Sequence, residues 1–387
     1  MIKTLVLYTN EIDDAELAVK SILEQLNQET LCKNSVGIIS FHYDFVSSGA
    51  MKAICEALPF DVVGASAPLH GNTTEVDTYL LSIMVLTSDD ASFVMRTAGI
   101  LGEDAYSEVG ETYKKVLAER EDTPVVAFSY VPFIFDFYFD RYMEVFTEVS
   151  EGVPCFGTVA LDDTNAFENA CICVNGGHYK DRMAMIFVYG DVKPKFLLGF
   201  LSPEKILPQP ALITKSQDNI LQEVNGHSME KYFEDLGLSE SRDNQYEMAS
   251  VPFMLDYGDG TPPVSKAFVG QTPEGYAVSA GLIPEGATLK VAVFDKDDVL
   301  LTTGKTVEEA LEVYKKGASG MLIYSCLARY MSLEGDSMAE LDLVRDKLSG
   351  SVPFIMAYSG GEICPTRVSE SKAINRFHNN TFIVCIF

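Results

Sequence analysis

The chain has 387 residues, of which 47% are hydrophobic and 22% charged, a composition typical of globular proteins with a large core rather than of disordered chains. Acidic residues outnumber basic ones by 56 to 29, and the net charge of −27 disfavours binding to nucleic acid or to anionic membrane surfaces. No apolar run reaches the roughly 18 residues of a membrane span, the first residues lack a secretory signal, and the 8 cysteines form no C-x-x-C pair. We therefore expect a cytoplasmic protein with reduced thiols and no membrane insertion.

A strand-helix-strand pattern occurs first between residues 36 and 71. Its predicted elements are a strand at 36–41, a helix at 48–58, a strand at 59–63 and a small-residue loop at 64–71. The first strand places Ser40 near its end, and the second begins at Pro59, where a missing N–H disturbs no hydrogen-bond ladder. This arrangement predicts a parallel pair of strands joined by a right-handed crossover.

A second copy of the pattern begins at residue 124. It again ends its first strand at a serine, Ser129, and begins its second strand near a proline, Pro154. Strands at 170–174 and 182–188 follow, and we predict that they pair with each other through the turn-forming Asn175-Gly-Gly177.

The middle of the chain changes character, because three prolines between residues 203 and 210 suit a packed linker. We place a boundary near residue 200 and expect two domains, 1–200 and 201–387. Past the boundary, Gln217-Asp-Asn219 lies between two short strands and predicts a hairpin, and Gly237 follows a short helix as a left-handed cap. Thr306-Val-Glu-Glu309 has the form of a capping box and predicts the start of a helix.

The last seventy residues contain a third copy of the pattern. Its predicted elements are a strand at 320–326, a helix at 337–348, a strand that begins at Pro353, the loop Ser359-Gly-Gly-Glu362 and a last strand at 381–387. Three such copies predict a mixed α/β fold of strand-helix-strand repeats, with mixed sheets flanked by helices. The loops after both strands of each unit lie at the carboxyl edge of its sheet, where open sheets bind ligands.

The order of these motifs along the chain resembles the FIST family. In the second half the similarity rests on Asn225-Gly226 before the short helix, on Pro284-Glu-Gly286, and on the third copy with its Ser359-Gly-Gly-Glu362. In the first half, Asp61-Val-Val-Gly-Ala-Ser66 followed by a strand looks like the FIST N-terminal domain. The similarity extends over residues 30 to 387 and covers both the N-terminal and the C-terminal FIST domains.

This resemblance implies an intracellular sensory module that binds a small polar ligand such as an amino acid. Many members of the family carry a kinase, chemotaxis or cyclic-nucleotide output domain, and a chain of this length has no room for one. We therefore expect signalling through a separate protein partner, such as a kinase or a chemotaxis component. The resemblance implies no cofactor, and we favour a role that is not enzymatic.

The candidate ligand site lies at the carboxyl edge of the strand-helix-strand units. Paired glycines let backbone N–H groups approach a ligand, Glu362 can hold an ammonium group, and Arg329 can clamp a carboxylate. The alternatives are a strand-ending turn with a solvated Glu362, and a salt bridge between Arg329 and nearby acids such as Glu334. The predicted ligand-binding residues are Ser40, Ser66, Ser325, Arg329, Ser359, Gly360, Gly361, Glu362 and His378.

Two histidine arrangements and one cysteine suggest other chemistry. His378 can contact the ligand or hold the Gly-Gly-Glu loop by hydrogen bonds, and the latter is favoured. Cys326 with His378 has the residue types of a thiol-dependent hydrolase, which is the alternative function, although a buried structural cysteine explains Cys326 as well. His42 and His70 follow two strand ends, but two histidines without a carboxylate at a fixed spacing are a weak metal signal, so we predict no metal site.

Overall fold

The computed structural model describes residues 1–102, 104–134, 138–237, 251–348, 350, 352–368 and 372–387. Its main body consists of three repeats of one pattern. In chain order, each repeat has an edge strand, a helix, a strand-helix-strand unit, a short hairpin and a return strand. The first repeat contains β1 (Lys3–Thr9), α1 (Ala15–Leu26), β2 (Asn34–Phe41), α2 (Asp44–Ser47), α3 (Ala50–Ala57), β3 (Asp61–Ser66), β4 (His70–Asn72), β5 (Val76–Asp77) and β6 (Leu81–Ser88).

The second repeat follows without interruption and has the same order of elements. It contains β7 (Ser92–Gly99), α4 (Ala105–Ala118), β8 (Val126–Pro132), α5 (Phe139–Ser150), β9 (Cys155–Ala160), β10 (Ile172–Val174), β11 (Gly177–Tyr179) and β12 (Arg182–Tyr189).

The third repeat starts with β13 (Lys195–Gly199) and is then interrupted by a separate β-rich unit, here called the inserted unit, at residues 200–295. The inserted unit contains a 3₁₀ turn (Pro203–Lys205), β14 (Ala211–Gln217), β15 (Ile220–Val224), β16 (His227–Ser228), α6 (Met229–Asp235), β17 (Phe253–Asp256), β18 (Val264–Lys266), β19 (Phe268–Gln271), β20 (Ala277–Ser279) and β21 (Thr288–Val291). The third repeat resumes with α7 (Lys296–Tyr314), β22 (Met321–Cys326), α8 (Leu327–Met331), α9 (Ala339–Leu348), β23 (Phe354–Ser359), β24 (Glu362–Val368), β25 (Ala373–His378) and β26 (Phe382–Ile386).

Each repeat is the centre of one six-stranded mixed sheet. The strand orders are β1-β6-β2-β3-β10-β11, β7-β12-β8-β9-β24-β25 and β13-β26-β22-β23-β4-β5. In all three the strand-helix-strand unit forms a parallel pair, and the return strand lies antiparallel beside its first strand. The three copies of the pattern predicted from the sequence are therefore confirmed, and so is the predicted fold class of repeats in mixed sheets flanked by helices.

The hairpin of every repeat leaves its own sheet and joins that of another repeat. β4 of the first repeat pairs with β23 of the third, β24 of the third pairs with β9 of the second, and β10 of the second pairs with β3 of the first. The exchange is cyclic, so each sheet is completed by a neighbour. Two of the three sheets mix strands from both sides of residue 200, and the division into domains 1–200 and 201–387 stays a prediction.

The apolar residues of the strands are divided between a central core and three outer cores. Ile38, Phe128 and Tyr324 represent the three sheets in the central cluster, where the inner faces of all three meet. The outer faces pack against their own helices in three further clusters, one for each repeat. Because both faces of each sheet are buried, the central strands are continuous apolar runs rather than alternating ones.

A buried ion pair connects the inserted unit to the main body. Lys266 on β18 is fully buried, and its Nζ lies 2.6 Å from Oδ1 of Asp140 on α5 and donates to the backbone oxygen of Phe377 at 3.1 Å. The other carboxylate oxygen of Asp140 accepts a hydrogen bond from the backbone N–H of Leu282 at 2.8 Å. Every helix in the described part of the chain is too short or too polar to span a membrane.

Two local predictions from the sequence are wrong. Asn175 and Gly176 do form a turn with positive φ, but the turn joins β10 to the short β11, and β12 pairs instead with β7 and β8. Thr306 lies inside α7, whose capping box is formed earlier in the chain by Asp295 and Asp298. The predicted hairpin across Gln217-Asp-Asn219 and the left-handed Gly237 are confirmed.

Glycine is required where the parallel strands of the first two repeats approach most closely. A Cβ atom at Gly64 would overlap the backbone oxygen of Ile39, and one at Gly157 would overlap that of Ser129. Both contacts are with backbone, which cannot move aside without breaking the strand pairing.

We expect Gly64→Ala to lower the free energy of unfolding by about 2–4 kcal/mol, because overpacking against backbone forces the strands apart. Urea denaturation followed by circular dichroism measures this change. The matched control is Gly270→Ala in a strand of the inserted unit, where no atom lies within 4 Å of the new methyl group. Equal effects of the two substitutions would contradict the prediction.

Candidate functional site

The loops that follow the strand-helix-strand units meet each other rather than solvent. Ser66 at the end of β3 donates to the backbone oxygen of Leu161 at 2.7 Å and accepts from the N–H of Cys171 at 3.0 Å. The side chain of Leu161 in turn lies against the Cα of Gly360, where a Cβ atom would be 3.0 Å away. The structure thus brings the predicted Ser66 and Gly360 to one region, where both are packed against other repeats.

Ser40 is also buried, and it is linked to the third repeat through a histidine. Its Oγ lies 2.8 Å from Nδ1 of His70, and His70 pairs with Ala357 in β23. Burial lowers the pKa of His70 to about 3, so this histidine is neutral. His42 lies 3.3 Å from Asp163 through Nε2, and among the described residues no group of three potential ligands is arranged to hold a metal ion.

The Ser-Gly-Gly loop is closed by its own hydrogen bonds. The hydroxyl of Ser359 donates to the backbone oxygen of Gly361 at 2.6 Å and accepts from Thr158 at 2.7 Å. The N–H of Gly360 donates to the backbone oxygen of Val159 at 2.9 Å. Gly361 has a φ of 148°, and a Cβ atom there would overlap the ring of Phe377. These glycines therefore allow close packing between the third and second repeats.

Arg329 is fully buried and already holds a carboxylate from the protein. Its Nε and Nη2 donate to Oε1 of Glu340 at 3.0 and 2.8 Å. Ser325 and Tyr358 donate to Oε2 of the same carboxylate at 2.7 and 3.0 Å. The alternative of a salt bridge from Arg329 to a nearby acid is therefore confirmed, with Glu340 rather than the exposed Glu334 as its partner. Glu340 thus takes the carboxylate position next to Arg329, and Nη1 of Arg329 has no hydrogen-bond partner in the described residues.

Glu362 is the least satisfied acid of the site. The side chain is fully buried, its Oε2 accepts from the hydroxyl of Thr381 at 2.7 Å, and its Oε1 has no partner within the described ranges. Burial raises the pKa of Glu362 to about 8, although Thr381 and the charge of Arg329 act in the opposite direction. The alternative of a solvated Glu362 in a turn does not fit this burial.

Cys326 lies at the same strand end, but it does not have the environment of a nucleophile. The residue is 3% exposed, and burial followed by the nearby charge of Glu362 raises the pKa of its thiol well above the usual range. His378 lies opposite Glu362 in the pairing of β24 with β25, and its Nε2 is 3.2 Å from the backbone oxygen of Cys364. Burial lowers the pKa of His378 to about 3. Neither residue is activated for acid-base chemistry at neutral pH.

The sequence analysis missed two residues of this site. Glu340 shares a helix face with the buried Val344 and Leu348, and an acid on an apolar face signals a buried cation. Thr381, which binds both the carboxylate of Glu362 and, through its backbone oxygen, the N–H of Cys326, gives no pattern that a sequence would reveal.

A cavity of about 310 Å³ lies away from these residues, along the outer edge of β1. It is lined by Thr4, Val6 and Tyr8 of that strand and by Thr73 and Pro353 across the groove. The amide side chain of Gln25 closes one end, since it bonds both the N–H and the carbonyl of Tyr8. Two buried atoms with unmet hydrogen bonds, Nη1 of Arg329 and Oε1 of Glu362, lie instead near the strand ends of the third repeat.

Comparisons with known proteins agree with the architecture of the chain. The model of the FIST N domain matches residues 36–227, and that of the FIST C domain matches residues 228–365, so the two together extend from residue 36 to residue 365. FIST domains are sensory domains of signalling proteins that bind small ligands. A search of curated proteins finds no match.

Two solved structures from Thermotoga maritima were also found. PurLQS is 10% identical, with a TM-score of 0.21, and PurL complexed with ATP is 11% identical, with a TM-score of 0.18. All of this chain is covered in both cases, together with 72% and 71% of the respective structures. TM-scores this low do not indicate a shared fold. The two domain matches do establish the family, and the chain belongs to the FIST family of sensory proteins.

Proposed function

We propose that the protein is a cytoplasmic sensor that binds a small zwitterionic metabolite, such as an amino acid, between Glu362 and Arg329. A separate signalling protein, such as a kinase or a chemotaxis component, would receive the signal. The observation that carries the proposal is the pair of unmet groups at one strand edge: Oε1 of Glu362 and Nη1 of Arg329. The eight free cysteines fit a reducing compartment.

Glu362 can bind a cationic group and Arg329 an anionic group, so the proposed ligand carries both charges. An ammonium group would donate to Oε1 of Glu362, and a carboxylate would accept from Nη1 of Arg329. The two side chains are close enough that the charge of Arg329 lowers the pKa of Glu362. A buried polar atom without a partner costs about 1–3 kcal/mol, and a ligand that satisfies both atoms recovers this free energy.

The remaining predicted residues would act around this pair. Ser325 and Ser359 hold Glu340 and the Gly-Gly loop in place. Ser40 and Ser66 are engaged in contacts between sheets, and His378 contacts the backbone of Cys364 within the β24–β25 hairpin. Their proposed role is to fix the geometry of the site rather than to bind the ligand directly. The thiol hydrolase is not favoured, because Cys326 has a raised rather than a lowered pKa.

A panel of amino acids at millimolar concentration is expected to raise the melting temperature by several degrees, because a ligand that binds the folded state stabilises it. Differential scanning fluorimetry measures this shift. Carboxylic acids that lack the ammonium group are expected to give no shift of the melting temperature. The Glu362→Gln variant is expected to show no shift with any amino acid. Exposed Glu234, replaced by glutamine, provides the matched control that keeps the response. A panel without any shift would contradict the proposal.

Ligand affinity is expected to rise with pH up to about 8 and then to level off. Glu362 keeps its proton at neutral pH, so an ammonium group must displace that proton in order to bind. The dissociation constant should therefore fall by about tenfold per pH unit below the pKa. Calorimetric titrations at several pH values, in buffers of different ionisation enthalpy, also count the released proton. A constant affinity from pH 6 to 8 would exclude Glu362 as the ammonium site.

The stability of the unliganded protein is expected to reveal the same carboxyl group. The folded state holds the proton of Glu362 up to about pH 8, whereas the ordinary pKa of the unfolded chain is 4.5. Between these values the folded state binds more protons, so the contribution of Glu362 to the free energy of unfolding falls as pH rises. From pH 5 to pH 8 the wild type should lose roughly 2–4 kcal/mol relative to Glu362→Gln. Urea titrations of the two proteins at each pH measure this change. A difference in the free energy of unfolding that stays constant from pH 5 to pH 8 would refute the prediction.

Cys326 is expected to be unreactive towards a thiol-directed reagent in the native protein. Cys32 is partly exposed and should react first, whereas Cys326 requires unfolding. In a Cys32→Ser background the fast phase of the reaction with Ellman's reagent should disappear. A fast phase that remains there and is lost on further substitution of Cys326 would revive the hydrolase.

A further inference from the structure

Two free cysteines of different repeats are in contact at the boundary between the first and second repeats. Cys55 lies on α3 of the first repeat, and Cys173 lies on β10, the strand that the second repeat contributes to the first sheet. Their Sγ atoms are 3.9 Å apart, and 118 residues of chain separate them. Cys55 is 7% exposed and Cys173 is fully buried.

Other contacts hold the two elements in this position independently of the thiols. The side chain of Asn175, which follows β10, accepts from the N–H of Val62 at 2.8 Å. The Cα of Gly176 packs against α3, where an added Cβ atom would lie 3.2 Å from Cβ of Cys55. The two sulfur atoms are therefore kept close by a rigid hairpin and not by a mobile loop.

We propose that Cys55 and Cys173 are a modification site at which an oxidant forms a reversible disulfide that locks the exchanged hairpin to the first repeat. A disulfide requires a sulfur–sulfur distance of about 2.05 Å. The present gap of 3.9 Å between the sulfur atoms must shorten for the bond to form, and rotation of the two side chains about χ1 is the motion that brings the sulfur atoms together.

The reaction is balanced with a peroxide as oxidant. The peroxide oxidises the thiol of Cys55, the more accessible of the two, to a sulfenic acid and releases water. The thiol of Cys173 then attacks that sulfur, a second water leaves, and the disulfide forms. Both sulfur atoms are oxidised, and the two electrons reduce the peroxide. A reducing thiol reverses the reaction by exchange.

Cys171 is a second cysteine that competes for disulfide formation, since it lies two residues from Cys173 and faces the same outer core. Its backbone N–H donates to Ser66, which anchors it at the strand end of the first repeat. The bond to Cys55 is favoured because Cys55 and Cys173 are in direct contact. A disulfide between residues two apart in a strand would also strain the backbone.

The test uses the full chain treated with hydrogen peroxide, alkylated under denaturing conditions, digested and analysed by mass spectrometry. The expected result is a cross-linked peptide pair that contains Cys55 and Cys173 and is lighter by two hydrogens than the reduced pair. The melting temperature should rise by several degrees, on the order of 5 °C, because the bond closes a long loop, and dithiothreitol should abolish the rise.

Cys55→Ala and Cys173→Ala should each lose both the cross-link and the temperature shift, whereas Cys32→Ser should keep both. Each substitution alone removes one sulfur atom of the proposed bond, so the test can still be made with the other variant if one of them folds poorly. A cross-link that contains Cys171, or oxidation of Cys32 without any Cys55–Cys173 bond, would overturn the proposal. Neither result depends on ligand binding at Glu362.

Discussion

The cyclic exchange of hairpins is the constraint on which the rest of the structure depends. Each sheet is completed by a strand of another repeat, through the pairs β3–β10, β9–β24 and β23–β4. No repeat can satisfy the hydrogen bonds of its second strand alone, because that strand is buried and its outer neighbour comes from elsewhere in the chain. The three repeats must therefore fold as one unit, and the central core forms when all three sheets are present.

The same exchange explains why the predicted site is buried. A chain that leaves one sheet for the next must cross at the carboxyl edge, so the loops that would face a ligand in an open sheet become contacts between repeats. Ser66 and Ser359 bind the backbone of such crossings. The third crossing differs from the other two, because its exchanged strand begins with the carboxylate of Glu362. This asymmetry is the reason why we propose the ligand site in the third repeat.

The parts of the fold that the sequence could predict are those with local signals. Strands buried on both faces, serines at strand ends and prolines at strand starts repeat along the chain, and they located all three parallel pairs. The exchanged strands β4 and β10 have 3 residues each, too few for a periodic pattern. β4 was not predicted, and β10 was predicted as part of a strand at 170–174 but with the wrong partner, because pairing with β3 of another repeat leaves no local signal. Within the site, Glu362 and Arg329 were selected from their positions at strand ends. Glu340 has a sequence signal, an acid on the apolar face of α9, but that signal does not identify Arg329 as its partner, because the contact depends on how α9 packs on α7.

Glu340 and Glu362 are both buried, but their carboxylate oxygens differ in how completely they are hydrogen-bonded. Glu340 accepts hydrogen bonds from Ser325, Tyr358, Thr303 and Arg329, and this complete set of donors fixes its geometry. Asp140 is likewise satisfied at both oxygens, by Lys266 and a backbone N–H. Oε2 of Glu362 accepts from the hydroxyl of Thr381, whereas Oε1 of Glu362 is the carboxylate oxygen that remains buried without a partner in the described part of the chain. A fold that satisfies its other buried acids so fully gains no stability from this omission, since an unmet carboxylate oxygen is costly. The omission is consistent with a group that awaits a donor from outside the chain.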